Sequence, residues 1–335
     1  MFNRMNVVVV TGASAGVGRA AAREFAANGA DVALLARNGE ALEAAAAEIR
    51  ELGRRALPIP LDVSDSNAVE AAAARVETEL GPIDVWVNNA MVTVVSPVSL
   101  VQPKEVERVT AVTYLGTVNG TLAAVHRMLP RDRGVIVQVG SALAYRAIPL
   151  QAPYCGAKFA IRGFTDSLRC ELLHRKSRVR VTMVQMPALN TPQFDWCLTR
   201  MPREPRPVAP VFQPEVAARA IVWAAKHRRR EVNVGVSTSL AVWANRFFAP
   251  VLDRYLARTG FDSQLDHSPV TPARPDNLWR SPPGDHGAHG RFDPEARARS
   301  RALWVVTHRR AIGIGAGLIG VGALLYAHRR APPQA

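Results

Sequence analysis

Cysteine is scarce in these 335 residues, and its three occurrences, Cys155, Cys170 and Cys197, form neither a pair at metal-ligand spacing nor an even-numbered framework. That excludes a disulfide-stapled secreted scaffold and fits a reducing compartment. The amino terminus has no apolar run beyond Val7 to Val10, too short for a signal-peptide core. Acidic residues are also in deficit, 28 against 42 lysines and arginines, for a formal charge of +14. Such a balance suits nucleic acid, an anionic membrane surface or a phosphate-bearing cofactor. No nucleic-acid-reading motif accompanies it, and the arginines are spread along the chain with local clusters such as Arg228 to Arg230, so a nucleic-acid partner is not expected. The 48% hydrophobic content excludes a disordered chain.

What is present is an alternation. Short β-branched runs at Val7 to Val10, Asp31 to Leu35, Ala56 to Leu61, Val85 to Val87, Val135 to Val139, Arg180 to Val184 and Glu231 to Val234 are separated by helix-length, mostly alanine-rich stretches. This predicts βαβ units in an α/β fold: one doubly wound parallel sheet of seven strands covered by helices on both faces. The domain is expected to occupy residues 1–260. From 261 to 303 the composition turns to proline, glycine, histidine and charge with no sustained period, as in Ser281-Pro-Pro-Gly-Asp-His-Gly-Ala-His-Gly290, and reads as a flexible solvated linker. His286 and His289 are read as part of that solvated loop rather than as metal ligands.

Residues 304–330 are read as a membrane-anchoring helix. The uncharged run Ala311 to Ala327 is bracketed by arginine pairs and, as a helix, extends about 25 Å, with flanking arginines able to snorkel. The expected location is a cytoplasmic catalytic domain tethered through its carboxyl terminus. Gly315-Ala-Gly-Leu-Ile-Gly320 within that run matches a dinucleotide-binding pattern only formally, because no strand precedes it.

Directly after the first strand comes Thr11-Gly-Ala-Ser-Ala-Gly-Val-Gly18, leading into a helical run from Arg19. Gly12 permits the tight turn, Gly16 lets a pyrophosphate approach the backbone, and Gly18 lets the helix pack on the sheet, with helix N–H groups aimed at phosphate. This form of the loop resembles that of the short-chain dehydrogenase/reductase family. Asp62-Val63 resembles the family pair that meets adenine, and Asn88-Asn89-Ala90 resembles its sheet-stabilising element. The resemblance spans roughly residues 5 to 240. It implies a nicotinamide cofactor contacted by Gly12, Ser14, Gly16, Val17, Gly18, Asp62, Val63, Asn89 and Thr191. At the end of the second strand, Leu34-Leu-Ala-Arg37 has no acid for a ribose 2'-hydroxyl but offers a guanidinium for a 2'-phosphate, so NADP(H) is favoured over NAD(H), with Arg37 and Ser14 near the phosphate.

Tyr154-Cys-Gly-Ala-Lys158 puts a phenol and an ammonium four residues apart, on one face of a helix. A neighbouring cation favours the phenolate of a group that otherwise titrates near ~10. Ser141 follows the fifth strand, at the sheet's carboxyl edge, where α/β ligands bind. The resemblance implies that Tyr154 is general acid or base, that Ser141 hydrogen-bonds the substrate oxygen and that Lys158 also holds the nicotinamide ribose. Where the family has a relay asparagine this chain has Thr113, able to hold a water but without the amide geometry; Asn119 turns to another face. Met91 replaces the glycine after Asn-Asn-Ala, either making the pocket greasier or packing in the core, and Pro187-Ala188 stands for Pro-Gly.

The segment Asn190 to Pro214 carries Phe194, Trp196, Leu198, Met201 and Phe212, which suits both a lid over an apolar small-molecule substrate and packing on the protein itself. The expected activity is hydride transfer between NADP(H) and an apolar carbonyl or alcohol. The alternative is a catalytically weak NADP(H)-binding sensor or scaffold at the membrane, motivated by Thr113. A homo-oligomer is an expectation from the resemblance alone.

Overall fold

Period-2 alternation on strands buried on both faces sorts this chain's valines into two core layers. In the computed structural model, which describes residues 5–309, the seven expected strands form: β1 (Val7–Thr11), β2 (Asp31–Ala36), β3 (Ala56–Pro60), β4 (Val85–Asn88), β5 (Val135–Ser141), β6 (Arg180–Met186) and β7 (Glu231–Asn233). They lie side by side in the order β7-β6-β5-β4-β1-β2-β3, and every pairing is parallel. Val8, Val10, Val32 and Leu34 enter one layer, under helices Gly16–Ala27, Gly39–Glu51 and Pro214–Lys226. Val7, Val9, Ala33 and Leu35 enter the other, under Ser66–Glu79, Gly116–Met128 and Ala152–His174.

The order reverses between β1 and β4, which opens a crevice at the carboxyl edge. Two asparagines brace it. The buried Asn88 amide donates to Thr121 Oγ1 and Gln138 Oε1, both at 3.0 Å, tying β4 to β5 and to helix Gly116–Met128. Asn89, directly after β4, donates its amide to the carbonyl of Thr11, the last residue of β1, at 3.0 Å.

The chain after Gly260 departs from the expected solvated linker. Leu265–Pro269 pairs antiparallel with Arg203–Pro205, and Leu278 is fully buried in the second core layer. Residues 277–290 then cross the carboxyl edge as a strap. Arg108 Nε donates to the Leu278 carbonyl at 2.9 Å, and the Asn38 amide donates to the carbonyls of Pro282 (2.8 Å) and Gly284 (3.0 Å). Asp285 pairs with the buried Arg19, which also meets Glu48 at 2.7 Å. His289 bridges Glu215 (2.8 Å) and Asp293 (3.0 Å), and His286 lies edge-on to Trp196 with ring centres 4.7 Å apart. The strap has no period because distant side chains satisfy its backbone instead of its own helix or strand.

The anchor expected over Ala311 to Ala327, with the glycine pattern inside it, lies outside the described residues. Among the described residues no helix is long and apolar enough to cross a membrane.

Candidate active site

The turn after β1 is bent by Gly12, whose φ of +66° favours glycine and whose added Cβ would lie 2.8 Å from Ala90 Cα. At Gly18 a Cβ would meet the Gly12 carbonyl oxygen at 2.0 Å, so the helix start cannot approach the turn this closely with any larger residue. The result is a cleft of about 460 Å³ along the carboxyl edge, lined at one end by Gly12, Ser14, Gly16, Val17, Arg37, Asp62, Val63 and Asn89. Gly18 itself lies under the turn, not in the lining. These are the dimensions and groups of a dinucleotide pocket: a glycine cradle at a helix N-terminus, with apolar walls.

Electrostatics at that end are cationic. Asp62 accepts from Ser64 N at 2.9 Å and Ser64 Oγ at 2.7 Å and is ion-paired with Arg108. Burial pushes its carboxyl upward, but the hydrogen bonds from Arg108 and Ser64 outweigh this and hold it below the usual carboxylate range. Arg37 lines the cleft but also donates to the carbonyls of Asn277 (2.5 Å) and Leu278 (3.4 Å) on the strap. Gly16 N–H donates to the Gly287 carbonyl at 3.1 Å, so the strap satisfies one orphan donor of the helix start. No motif marks Asn277, which lines the cleft, or Arg108, which holds Asp62; Ser281, Pro282 and His286, expected in a solvated loop, stand in the cleft lining instead.

At the other end the cleft is lined by Ser141, Tyr154 and Lys158. Ser141 is the last residue of β5, and its Oγ accepts from Leu143 N–H at 3.1 Å. Tyr154 and Lys158 stand one turn apart on helix Ala152–His174, which starts with Pro153 in its first turn. Lys158 Nζ donates to the Val139 carbonyl at 2.7 Å and lies 5.5 Å from the centre of the Tyr154 ring. Burial pushes the Tyr154 phenol above its usual value, while the Ser141 hydrogen bond acts in the opposite direction. Burial pushes the Lys158 ammonium down to about 8.

Thr113 does not join them. It is fully buried on a π-helical turn, Thr110–Leu115, where its hydroxyl donates to the Val92 carbonyl at 3.1 Å and accepts from Val92 N–H at 3.2 Å. The short side chain spends its single O–H on the neighbouring backbone instead of holding a relay water in the cleft. Asn119 donates to the Val63 carbonyl at 2.9 Å, likewise a structural contact.

The walls between the two ends are apolar. Met91, Val92, Val95, Ile148 and Met186 line them, as do Pro187, Ala188 and Thr191. The aromatic segment divides: Phe194 and Trp196 line the cleft, whereas Phe212 is buried in the first core layer, Leu198 pairs with Val94 and Met201 packs on a small separate cluster.

The family model for short chain dehydrogenases matches residues 6–196. Among curated proteins, the uncharacterized oxidoreductase YxnA of Bacillus subtilis (strain 168) is 31% identical over 325 residues, covering 96% of this chain and 90% of its own length. A fatty acyl-CoA reductase of Acinetobacter baylyi is 28% identical over 258 residues, 76% of this chain and 84% of that protein. Among solved structures, a metagenomic short-chain oxidoreductase in complex with NADP aligns with a TM-score of 0.59 at 29% identity, 70% of this chain covering 98% of that one. A match across more than half the chain, on a sheet of this order, makes the protein a member of the short-chain dehydrogenase family.

Proposed function

We propose that this protein is an NADP(H)-dependent oxidoreductase acting on an apolar carbonyl or the corresponding alcohol. The observation that carries the reading is one apolar cleft with a glycine cradle and guanidinium at one end and a hydroxyl, phenol and ammonium at the other. A bound nicotinamide dinucleotide supplies or takes up the hydride. Tyr154 gives its phenolic proton to the substrate oxygen in reduction and recovers it in oxidation, Ser141 steadies the charge on that oxygen, and Lys158 orients the ribose. The phenol is protonated at neutral pH, the form that a carbonyl reduction needs, and burial pushes its titration further up. With Thr113 committed to Val92, proton return to Tyr154 does not run through its hydroxyl. The apolar walls favour a hydrocarbon-rich substrate, and the similarity to an acyl-CoA reductase points the same way.

The test is NADPH oxidation with a panel of long-chain aldehydes, ketones and acyl thioesters. Turnover supports the proposal; cofactor binding with no turnover across the panel favours the sensor or scaffold reading, which rests on Thr113.

Cofactor choice has its own experiment. Arg37 stands where an acid would select NAD(H), and Asp62, the carboxylate lining the same end of the cleft, is already paired with Arg108. Arg37→Ala is expected to weaken NADPH binding by about tenfold to a hundredfold more than NADH binding, as loss of a charge-assisted phosphate contact predicts, while the loss of its strap contacts is common to both cofactors. Equal losses for both cofactors in a fluorescence titration would overturn the preference.

A pH profile tests the role of Lys158. Its ammonium, held at about 8, deprotonates first as pH rises, because the phenol is pushed up. The value of kcat/KM for reduction is therefore expected to fall above about pH 8, and a profile flat from pH 7 to 10 would contradict this. The unfolded lysine holds its proton to about 10.5. The charged form is thus penalised in the folded state below about pH 8, and this penalty is relieved as pH rises from about 8 to 10.5.

A further inference from the structure

The helix Val236–Thr259 has two unlike sides. Inward, Ser237, Thr238 and Ala241 line the cleft, and Asn245 donates to the Tyr145 carbonyl at 2.8 Å. Outward, Leu240, Trp243, Phe247, Phe248, Val251 and Tyr255 are each between 59% and 66% exposed. Leu240, Trp243 and Phe247 recur at three- and four-residue spacing before Phe248, and Val251 and Tyr255 stand four apart after it. Trp243 and Phe247 stack face to face with ring centres 6.0 Å apart. Phe248 sits at a break in the helix, where φ is −130° and Pro250 follows, as expected where proline removes a backbone donor. An exposed apolar surface with adjoining aromatic rings at Trp243, Phe247 and Phe248 marks a docking face.

We propose that this face lies in the interfacial layer of an anionic phospholipid membrane, with the cleft mouth beside it. Charge selects this occupant. Arg246, Arg254 and Arg258 are exposed on the same helix, and its sole acid, Asp253, is ion-paired with Arg146. A second copy docked about a twofold axis brings equivalent arginines together, whereas an anionic surface attracts all of them, along with a chain of charge +14. Trp, Phe and Tyr beside arginine is the composition of a helix that lies in an interface without spanning. The proposal concerns an element inside the folded domain, independent of residues 304–330 and of the substrate.

The test uses the full chain with Cys170→Ser, since Cys155 and Cys197 are buried, and an environment-sensitive dye on Phe247→Cys. A parallel sample carries the dye on Glu51→Cys, at the exposed end of a helix that finishes at the opposite edge of the sheet. Vesicles containing phosphatidylglycerol are expected to blue-shift the emission at 247 and not at 51, at least about tenfold more tightly than pure phosphatidylcholine, with the difference lost at high salt. Arg246→Glu with Arg254→Glu is expected to abolish that difference. Co-sedimentation with no shift at 247 would overturn the proposal, placing attachment elsewhere. A shift without vesicles that grows with protein concentration would assign the face to a second copy; blue emission at every dilution would assign it to the chain's own tail. Equal binding to both vesicle types would remove the anionic requirement and overturn the charge argument.

Discussion

Tyr154→Phe is expected to lower turnover by about a thousandfold, near the middle of the range for losing a positioned general acid, and to change NADPH affinity by no more than a fewfold. The ring and its place on helix Ala152–His174 survive the substitution, and only the hydroxyl that meets Ser141 disappears. Lys158 keeps its bond to the Val139 carbonyl, so the cleft wall keeps its shape. Stopped-flow NADPH oxidation beside a fluorescence titration of the cofactor separates the two effects. Retained turnover would mean that another group delivers the proton, and lost cofactor binding would mean that the phenol is structural.

The second large effect is expected from Leu278→Ala. Leu278 is the apolar anchor of the strap and is fully buried, so its truncation costs about 2–5 kcal/mol. The surrounding grip is polar, from Arg37, Arg108 and Asn38 onto backbone carbonyls. The loss therefore falls on the strap's docking and not on the sheet. Local opening should rise by roughly thirtyfold or more, read as selective proteolysis within residues 261–303, with little change in the thermal midpoint of the core. Cofactor affinity should fall, because Asn277, Ser281, Pro282 and His286 leave the cleft wall. Global unfolding without selective cleavage would instead make the strap part of one cooperative unit. Tighter cofactor binding would make it a competitor for the cradle, since the Gly287 carbonyl occupies the Gly16 N–H.

The readable features share a physical cause: each is a local requirement. A central strand buried on both faces reads as a near-continuous apolar run and an edge strand as a partly exposed one, both bounded by helix-length stretches, so all seven sheet strands were legible. A turn with φ near +66° needs glycine, so the loop at Gly12 was legible as well. A phenol and ammonium on one helix face need a spacing of four, which pointed to Tyr154 and Lys158.

Other features depended on partners distant in sequence. Thr113 occupies the expected place along the chain, but its hydroxyl had two candidates, a cleft water or the backbone of Val92, and only packing chose the second. Arg37 was visible as a cation at a strand end, yet its bonds to carbonyls some 240 residues away were not. The strap had no period to read because its carbonyls are satisfied by side chains from other elements and it buries only the isolated apolar side chains Leu278 and Ala288. Sequence alone thus determined the elements, their parallel layering and the residue types facing the cleft, since propensity, burial period and backbone sterics act within a few residues. Tertiary structure decided which polar groups spend their hydrogen bonds on the protein itself and which stay turned to the cleft, because that choice rests on neighbours the chain order does not reveal.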